Sequence, residues 1–489
     1  MRSLGSHAVV EPIMIEYFER GSTIKLSVRR ACWIIVFALS LQAVEHAWGA
    51  PPRAMEKSDA SDHQGTANAH VGVPPIIDWS QEVSLPDDLL FVDHQNGKKN
   101  ALIFLVSLGQ DGKVVQLRPI SGFSLYLNAI APQIKAFAFA PTLAGKTFIL
   151  RIQDPLQKLF DNWKLYGSEG CSSATDLQKL YRIGELRLRH ADYDSAPDCY
   201  KYILDRNPSS VAAQYGFARI CMASNHRCAL SYLESVIASN PEFIEARQSL
   251  ASARSKSDGE AVYPAALDEI LKLNLPLAQR LWLLDSQASS LNRLDKIEDA
   301  IRVIKQWNTA ASELLAIYPP AVMTYDVQAR HFGLLEEGKG LNDDAIATYR
   351  LASSMIALDP LASDHARYEA DLGLARTSRK AGHAGEAEDL CNKWKKRWKK
   401  LVSSPTRRPS ELRQDGAGEL GGRWEFSCGS PEKGLALIED TIKQFPDSNA
   451  PYTALSQYYY SIGDIDKARE AEATASRLLE AWGKKLGQF

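Results

Sequence analysis

From Thr175 onward one pattern of residues returns at a nearly fixed interval, and this recurrence restricts the fold more than any single motif does. In "LYRIGELRLRHADYDSAPDCYKYILDRNP" the recurring positions are Gly184, Ala196, Tyr200 and Pro208. In "QYGFARICMASNHRCALSYLESVIASNP" they are Phe217, Ala218, Ala229 and Pro241, and the two prolines stand 33 residues apart. The pattern returns as Ala288 and Ala300; as Phe332, Gly333, Ala345, Tyr349 and Pro360; as Leu374, Ala375, Gly382 and Ala387; and as Gly422, Ile438 and Pro446. It is clearest at the end, where "APYTALSQYYYSIGDIDKAREAEATA" carries Tyr452, Leu455, Ser456, Tyr459, Gly463, Ala468 and Ala475. There two helices meet at Ser456 and Ala468, where a large side chain would push them apart, and Gly463-Asp464 turns the chain between them. Ile244 to Leu273 holds a degenerate copy. One such unit cannot bury its own apolar face, so neighbours must stack, and the pattern predicts a solenoid of about eight helix pairs.

In these positions the chain resembles the tetratricopeptide repeat family, from Thr175 to Leu479. The resemblance implies a superhelix with a concave groove, lined mostly by the first helix of each pair, that takes up extended or helical peptides. It therefore implies binding of a protein partner rather than catalysis. Residues on first helices that escape the packing template are the candidates to face such a groove: Gln214, Arg247 and Tyr452. Tyr452 is the strongest of these, since a tyrosine joins apolar area to a polar tip.

Ahead of the array the pattern changes. Ala101–Leu108, "ALIFLVSL", reads as a buried strand. Gln110-Asp111-Gly112-Lys113 reads as a hairpin turn, because Asp-Gly supplies the positive φ such turns need. "VVQLRPIS" then reads as a second strand, with Pro119 placing part of it at an edge or bulge. From Ser124, Leu125, Ile130, Ile134 and Phe137 have helical spacing, with a break expected near Pro132. Gly145–Gln153 reads as a third strand. These residues resemble the C-terminal domain of the TonB energy-transducer family. The resemblance rests on Asp111-Gly112-Lys113-Val114, Ser121-Gly122, Ala131, Phe137-Ala138-Phe139-Ala140-Pro141 and Gly145-Lys146. It implies a small periplasmic binding module.

The N-terminus reads as an export signal. Lys25, Arg29 and Arg30 precede an apolar run of 14 residues, Ala31–Val44, shorter than the roughly 20 a spanning helix needs. Ala47-Trp48-Gly49 offers small residues where a signal peptidase cuts, and Met14 is an alternative start. Residues 1–49 are thus expected to be a signal peptide, 50–75 a flexible linker, 76–165 the TonB-C-like α+β domain and 175–485 the all-α repeat array. Six cysteines follow the signal, an even number that suits an oxidising compartment. Cys221 and Cys228 flank a short turn between two helices. Helices pack about 8–10 Å apart, and near a turn the Cα atoms can reach the 4.4–6.8 Å a disulfide requires, so this pair is the expected one.

Chemistry finds little support. "AGKT" at Ala144–Thr147 has Ala140 where a phosphate loop needs glycine, and it enters a strand rather than a helix. HExxH and GxSxG are both missing, and the segment Tyr166–Ser173 has no assignable His and Asp partners. The acid pairs Glu336-Glu337 and Asp343-Asp344 are expected to cap and solvate helices. Trp394 and Trp398 are expected to pack on the next repeat, beside a basic run that reaches Pro409. No catalytic residue, cofactor or metal is assigned. A net charge of −2 gives no pull toward nucleic acid. The reading is an exported, periplasmic adaptor for a protein of the cell envelope, not an enzyme. Its alternative is a TonB-like transducer whose N-terminal segment stays in the inner membrane, which alone would give membrane contact. A hydrolase with an unrecognised site is the third reading.

Overall fold

The computed structural model describes residues 74–79, 101–152, 171, 177–189, 195–224, 226–360, 362–395, 397 and 416–486. The expected leader, the tether up to residue 73, most of Tyr166–Ser173, Trp398 and the basic run beyond it lie outside these residues. The chain divides into two units, 65–475 and a second formed by 1–64 with 476–489. Of the second, only the end of the last helix is described.

Four strands form one sheet in the order β1-β4-β2-β3: β1 (Ile76–Asp78), β2 (Leu102–Leu108), β3 (Val114–Ser121) and β4 (Thr147–Ile152). β2 pairs antiparallel with both β3 and β4, while β1 lies parallel to β4. Gly112 has φ +76° in the hairpin turn, as the Asp-Gly pair requires. β1 was not legible in the sequence, because three residues are too few to show a period. Helix α1 (Ser124–Ala136) runs through Pro132 without the expected break. Pro132 sits on the exposed side of α1, where a helix can open slightly, while Leu125, Ile130 and Ile134 hold the other side in the core.

Both faces of the sheet are covered, which is why β2 reads as a continuous apolar run rather than an alternating one. Leu102, Phe104 and Val106 share a core with Ile130 and Ile134 of α1. Ile103 and Ile149, one residue out of phase with that set, share a core with Leu277 and Leu281 of the array.

Sixteen further described helices form eight consecutive pairs. They are α2 (Leu177–Arg189) with α3 (Ala196–Arg206), α4 (Val211–Ser224) with α5 (His226–Ser239), α6 (Ile244–Asp258) with α7 (Tyr263–Leu271), and α8 (Leu277–Arg293) with α9 (Ile297–Ile317). Then come α10 (Asp326–Gly338) with α11 (Asn342–Leu358), α12 (Asp364–Lys380) with α13 (Ala384–Trp394), α14 (Gly416–Cys428) with α15 (Pro431–Gln444), and α16 (Asn449–Ser461) with α17 (Ile465–Leu486). Two tyrosines show how pairs join. The ring of Tyr200 on α3 is clamped between Gly184 of α2 and Gly216 of α4, where an added Cβ would stand 3.2 and 2.4 Å from it. The ring of Tyr349 on α11 is clamped the same way between Gly333 of α10 and Gly373 of α12, at 2.9 and 2.3 Å. Only a residue without a side chain leaves room for a phenol ring between two first helices.

Three disulfides fix further joints: Cys171–Cys199, Cys221–Cys228 and Cys391–Cys428, with Cα atoms 5.0, 5.6 and 5.5 Å apart. Trp394 is buried against Tyr368 of α12 and shares a core with Leu420 of α14.

Candidate functional site

Two places on this unit could hold a partner: the inner side of the array and the edge of the sheet. The first-helix surfaces of the later pairs converge. Arg376 of α12 reaches both oxygens of Glu337 of α10, each at 2.7 Å, and donates to Ser427 Oγ of α14 at 3.0 Å. Lys380 adds a second cation to Glu337 at 2.7 Å. Beside this cluster, Arg423 of α14 bonds Glu419 and Glu369, both at 2.8 Å, and also bonds Gln457 of α16. Glu369 takes Arg330 as well. His365, 3.7 Å from Glu419, has its pKa lowered by burial, an effect that Glu419 opposes. Burial also lowers Arg330, against the pull of Asp326. Buried charges persist only when paired in this way.

Among the described residues of these later pairs, the space between the first helices is filled by this cluster. Between Arg330, Leu334, Glu369, Arg376, Arg423 and Gln457 the remaining space has room for about one water molecule. α16 closes back on α10, with a backbone approach that glycine permits: a Cβ on Gly338 would stand 2.4 Å from Tyr460 O. Cations seal the closure by capping helix ends in trans. Lys380 Nζ donates to Ser461 O at 2.6 Å, and Arg469 donates to Asn292 O at 2.6 Å. Arg379 does the same for Ser427 O and Cys428 O, both at 3.1 Å.

The acids expected to solvate helices are corrected here. Asp343 and Asp344 do lie in the first turn of α11, but Glu336 and Glu337 are buried. Glu337 faces two cations, while Glu336 sits under Thr348 Oγ1, which lies 2.6 Å from its Oε2.

The sheet domain packs on the earlier half of the array at α6, α8 and α9. Phe123, at the start of α1, stacks edge-on with Phe243, which in turn meets Tyr215 of α4, at ring separations of 5.3 and 4.7 Å. Glu245 of α6 caps α1 from outside: Ser124 N–H donates to it at 3.0 Å, as does the Ser124 hydroxyl. Gln279 of α8 adds a third donor at 2.8 Å. Burial nonetheless raises the Glu245 pKa, against these hydrogen bonds. Arg118 of β3 pairs with Glu313 of α9.

The candidate binding residues are not brought together. Gln214 donates to Pro208 O at 2.7 Å, and Arg247 donates to Pro241 O at 2.6 Å. These are equivalent bonds in consecutive repeats, each holding the turn that precedes its helix. Tyr452 is half-buried on α16, about 140° around the helix from Gln457, which does line the inner space. Sequence reasoning missed Arg330, Glu369, Arg376 and Arg423. A signal existed in Gly216-x-x-Arg219 and Gly373-x-x-Arg376: each arginine follows the glycine that clamps a tyrosine, and each pairs with an acid of the preceding first helix, Glu185 or Glu337.

At the sheet edge, β3 pairs with β2 on one side and with no other described strand. Val115 is 69% exposed there.

Stacked helix pairs with small residues at their crossings define the class: a helical-repeat solenoid carrying a small four-stranded α+β domain. No family model and no curated protein matches the chain. Similar solved structures include MamA, at 22% identity over 35% of this chain and 94% of that one, with a TM-score of 0.28. The quorum sensor NprR of B. thuringiensis matches at 12% identity over 66% of this chain and 93% of that one, with a TM-score of 0.36. PilW, a type IV pilus biogenesis factor, matches at 13% identity over 47% of this chain and 100% of that one, with a TM-score of 0.30. At such identities and scores none of them carries a function over to this chain.

Proposed function

We propose that the protein is an exported adaptor of the cell envelope that holds a peptide segment of a partner protein, with no catalytic step of its own. The observation that carries this reading is the contrast, among the described residues, between the filled space inside the later pairs and an edge of β3 that no other described strand pairs. An edge strand presents unpaired backbone donors and acceptors, a template on which an extended peptide can add a strand. The array then serves as a rigid mount, since the sheet is fixed to it on one whole face. The order β2, β3, α1, β4 follows what the resemblance to the TonB C-terminal domain implies, and we assign the module to that class on this basis. Three disulfides support an oxidising compartment and hence export.

A photo-crosslinking side chain placed at Val115 is expected to capture an envelope protein, while the same probe at Tyr452 is not. Capture from Tyr452 alone would move the site to the array. Export is checked by N-terminal sequencing, which should find a mature start near Ala50. Retention of residues 31–44 in the membrane fraction would favour the anchored transducer.

A further inference from the structure

At the junction of α9, α10 and α11, Glu336 stands among side chains that offer it hydrogen bonds but no cation in direct contact. Thr348 Oγ1 lies 2.6 Å from Glu336 Oε2, and Asn308 Nδ2 lies 2.6 Å from Thr348 Oγ1 and 3.5 Å from Glu336 Oε1. Thr348 Oγ1 is also 3.1 Å from Asp344 O, the backbone carbonyl one turn earlier on α11. The charged groups around this junction are committed elsewhere. Lys305 of α9 pairs with the Asp344 carboxylate of α11 at 2.8 Å, and Glu337 on α10 itself is held by Arg376 and Lys380 of α12. Lys339, also on α10, pairs with Glu298 of α9 at 2.9 Å. Tyr349 of α11, buried nearby, is a neutral phenol.

The single hydroxyl proton of Thr348 therefore has two acceptors, Glu336 and Asp344 O, and can serve only one. If Glu336 is ionised, that proton goes to the carboxylate and the carbonyl loses this bond. If Glu336 takes up one proton from solvent, its own O–H donates to Thr348 Oγ1, the Thr348 hydroxyl turns to Asp344 O, and the Asn308 amide still donates to the acid. Each donor and acceptor of Glu336 and of the Thr348 hydroxyl is then served, Asn308 Oδ1 being left without a partner in either state, and no buried charge is left without a cation.

We propose that Glu336 is carried protonated in the folded array, and that its ionisation loosens the α9–α10–α11 junction, so that the later pairs sense pH. Burial supports this by raising the Glu336 pKa from 4.5 to about 7, against the Thr348 hydrogen bond. The folded state then holds a proton that the unfolded chain gives up. Stability is fullest below the unfolded pKa and falls as pH rises through the interval between 4.5 and about 7.

The test is urea unfolding of the full chain, followed by circular dichroism, for wild type and Glu336→Gln between about pH 5 and about pH 8. Over that span the unfolding constant of wild type, taken relative to the variant, should rise on the order of tenfold to a hundredfold. The amide of the variant can donate to Thr348 as the protonated acid does but cannot ionise. Parallel profiles for the two proteins overturn the proposal. Should Glu336→Gln fail to fold, infrared difference spectra of wild type across the same pH span decide the matter. A protonated carboxyl band that disappears toward about pH 8, and whose midpoint moves up in Thr348→Val, supports the proposal. A carboxyl already ionised at about pH 5 overturns it.

Discussion

The two halves of the array use one joint and finish it differently. In the first pairs, Tyr200 sits between Gly184 and Gly216, its hydroxyl bonds Glu185, and Arg219 pairs with that same acid at 3.0 Å. In the later pairs, Tyr349 sits between Gly333 and Gly373, and Arg376 pairs with Glu337 while its guanidinium also lies 3.4 Å from the Tyr349 hydroxyl. The difference is in what covers the helices next. The sheet domain packs on the first half through Phe123, Ser124 and Glu245, whereas the later half folds back on itself through Gly338 and Lys380, and Arg469 of α17 ties it to α8 at Asn292 O. The lesson is that the repeat fixes how a pair stacks on its neighbour, while residues outside the repeat decide whether the inner side stays open.

If the later half depends on its buried ion pairs, Glu337→Ala should have the largest effect. It leaves the Arg376 guanidinium buried without a carboxylate partner, with Ser427, Tyr349 and the Phe426 ring beside it, at a cost of about 3–5 kcal/mol. Urea unfolding monitored separately by proteolysis of the two halves should place that loss in the later half alone. Equal loss in both halves would break the comparison.

Disulfides come next. Cys391 and Cys428 are 37 residues apart, Cys221 and Cys228 only 7. Loop-closure entropy gives about 4 kcal/mol for the first and about 2 kcal/mol for the second. Replacing Cys391 and Cys428 by serine should therefore lower the urea midpoint more than replacing Cys221 and Cys228.

The shared joint predicts equal effects. Gly216→Ala and Gly373→Ala each drive a methyl into a tyrosine ring and should each cost about 1–3 kcal/mol. Pairing either with leucine at its tyrosine, Tyr200 or Tyr349, should recover part of the loss. A cost at only one site would show that the two clamps are not equivalent.

The smallest effect belongs to the sheet contact. Ser124→Ala removes the hydroxyl that Glu245 accepts and should cost about 1 kcal/mol. A double-mutant cycle with Glu245→Gln measures their coupling, and additive effects would mean that the cap contributes nothing across the contact.

The repeat positions, the Asp-Gly hairpin and three of the four strands follow from the sequence by itself, because they rest on local rules: small residues at helix crossings, positive φ in a turn, and apolar residues at a fixed period. Trp394 was legible for the same reason, as a large apolar group at helical spacing. Other features arise between segments far apart in the chain. β1 exists only because β4 offers it an edge, and α1 tolerates Pro132 because its opposite side is anchored in a core. Glu336 and Glu337 look like solvated acids in the sequence, since only Thr348, Arg376 and Lys380, 12 to 43 residues away, give them a reason to be buried. The closed interior was illegible for the same physical reason. Whether a solenoid leaves a groove depends on small rotations summed over several pairs, and no local pattern records that sum. Tertiary structure alone set Lys380 on the end of α16 and Arg469 on the end of α8, and with them the filled interior of this array.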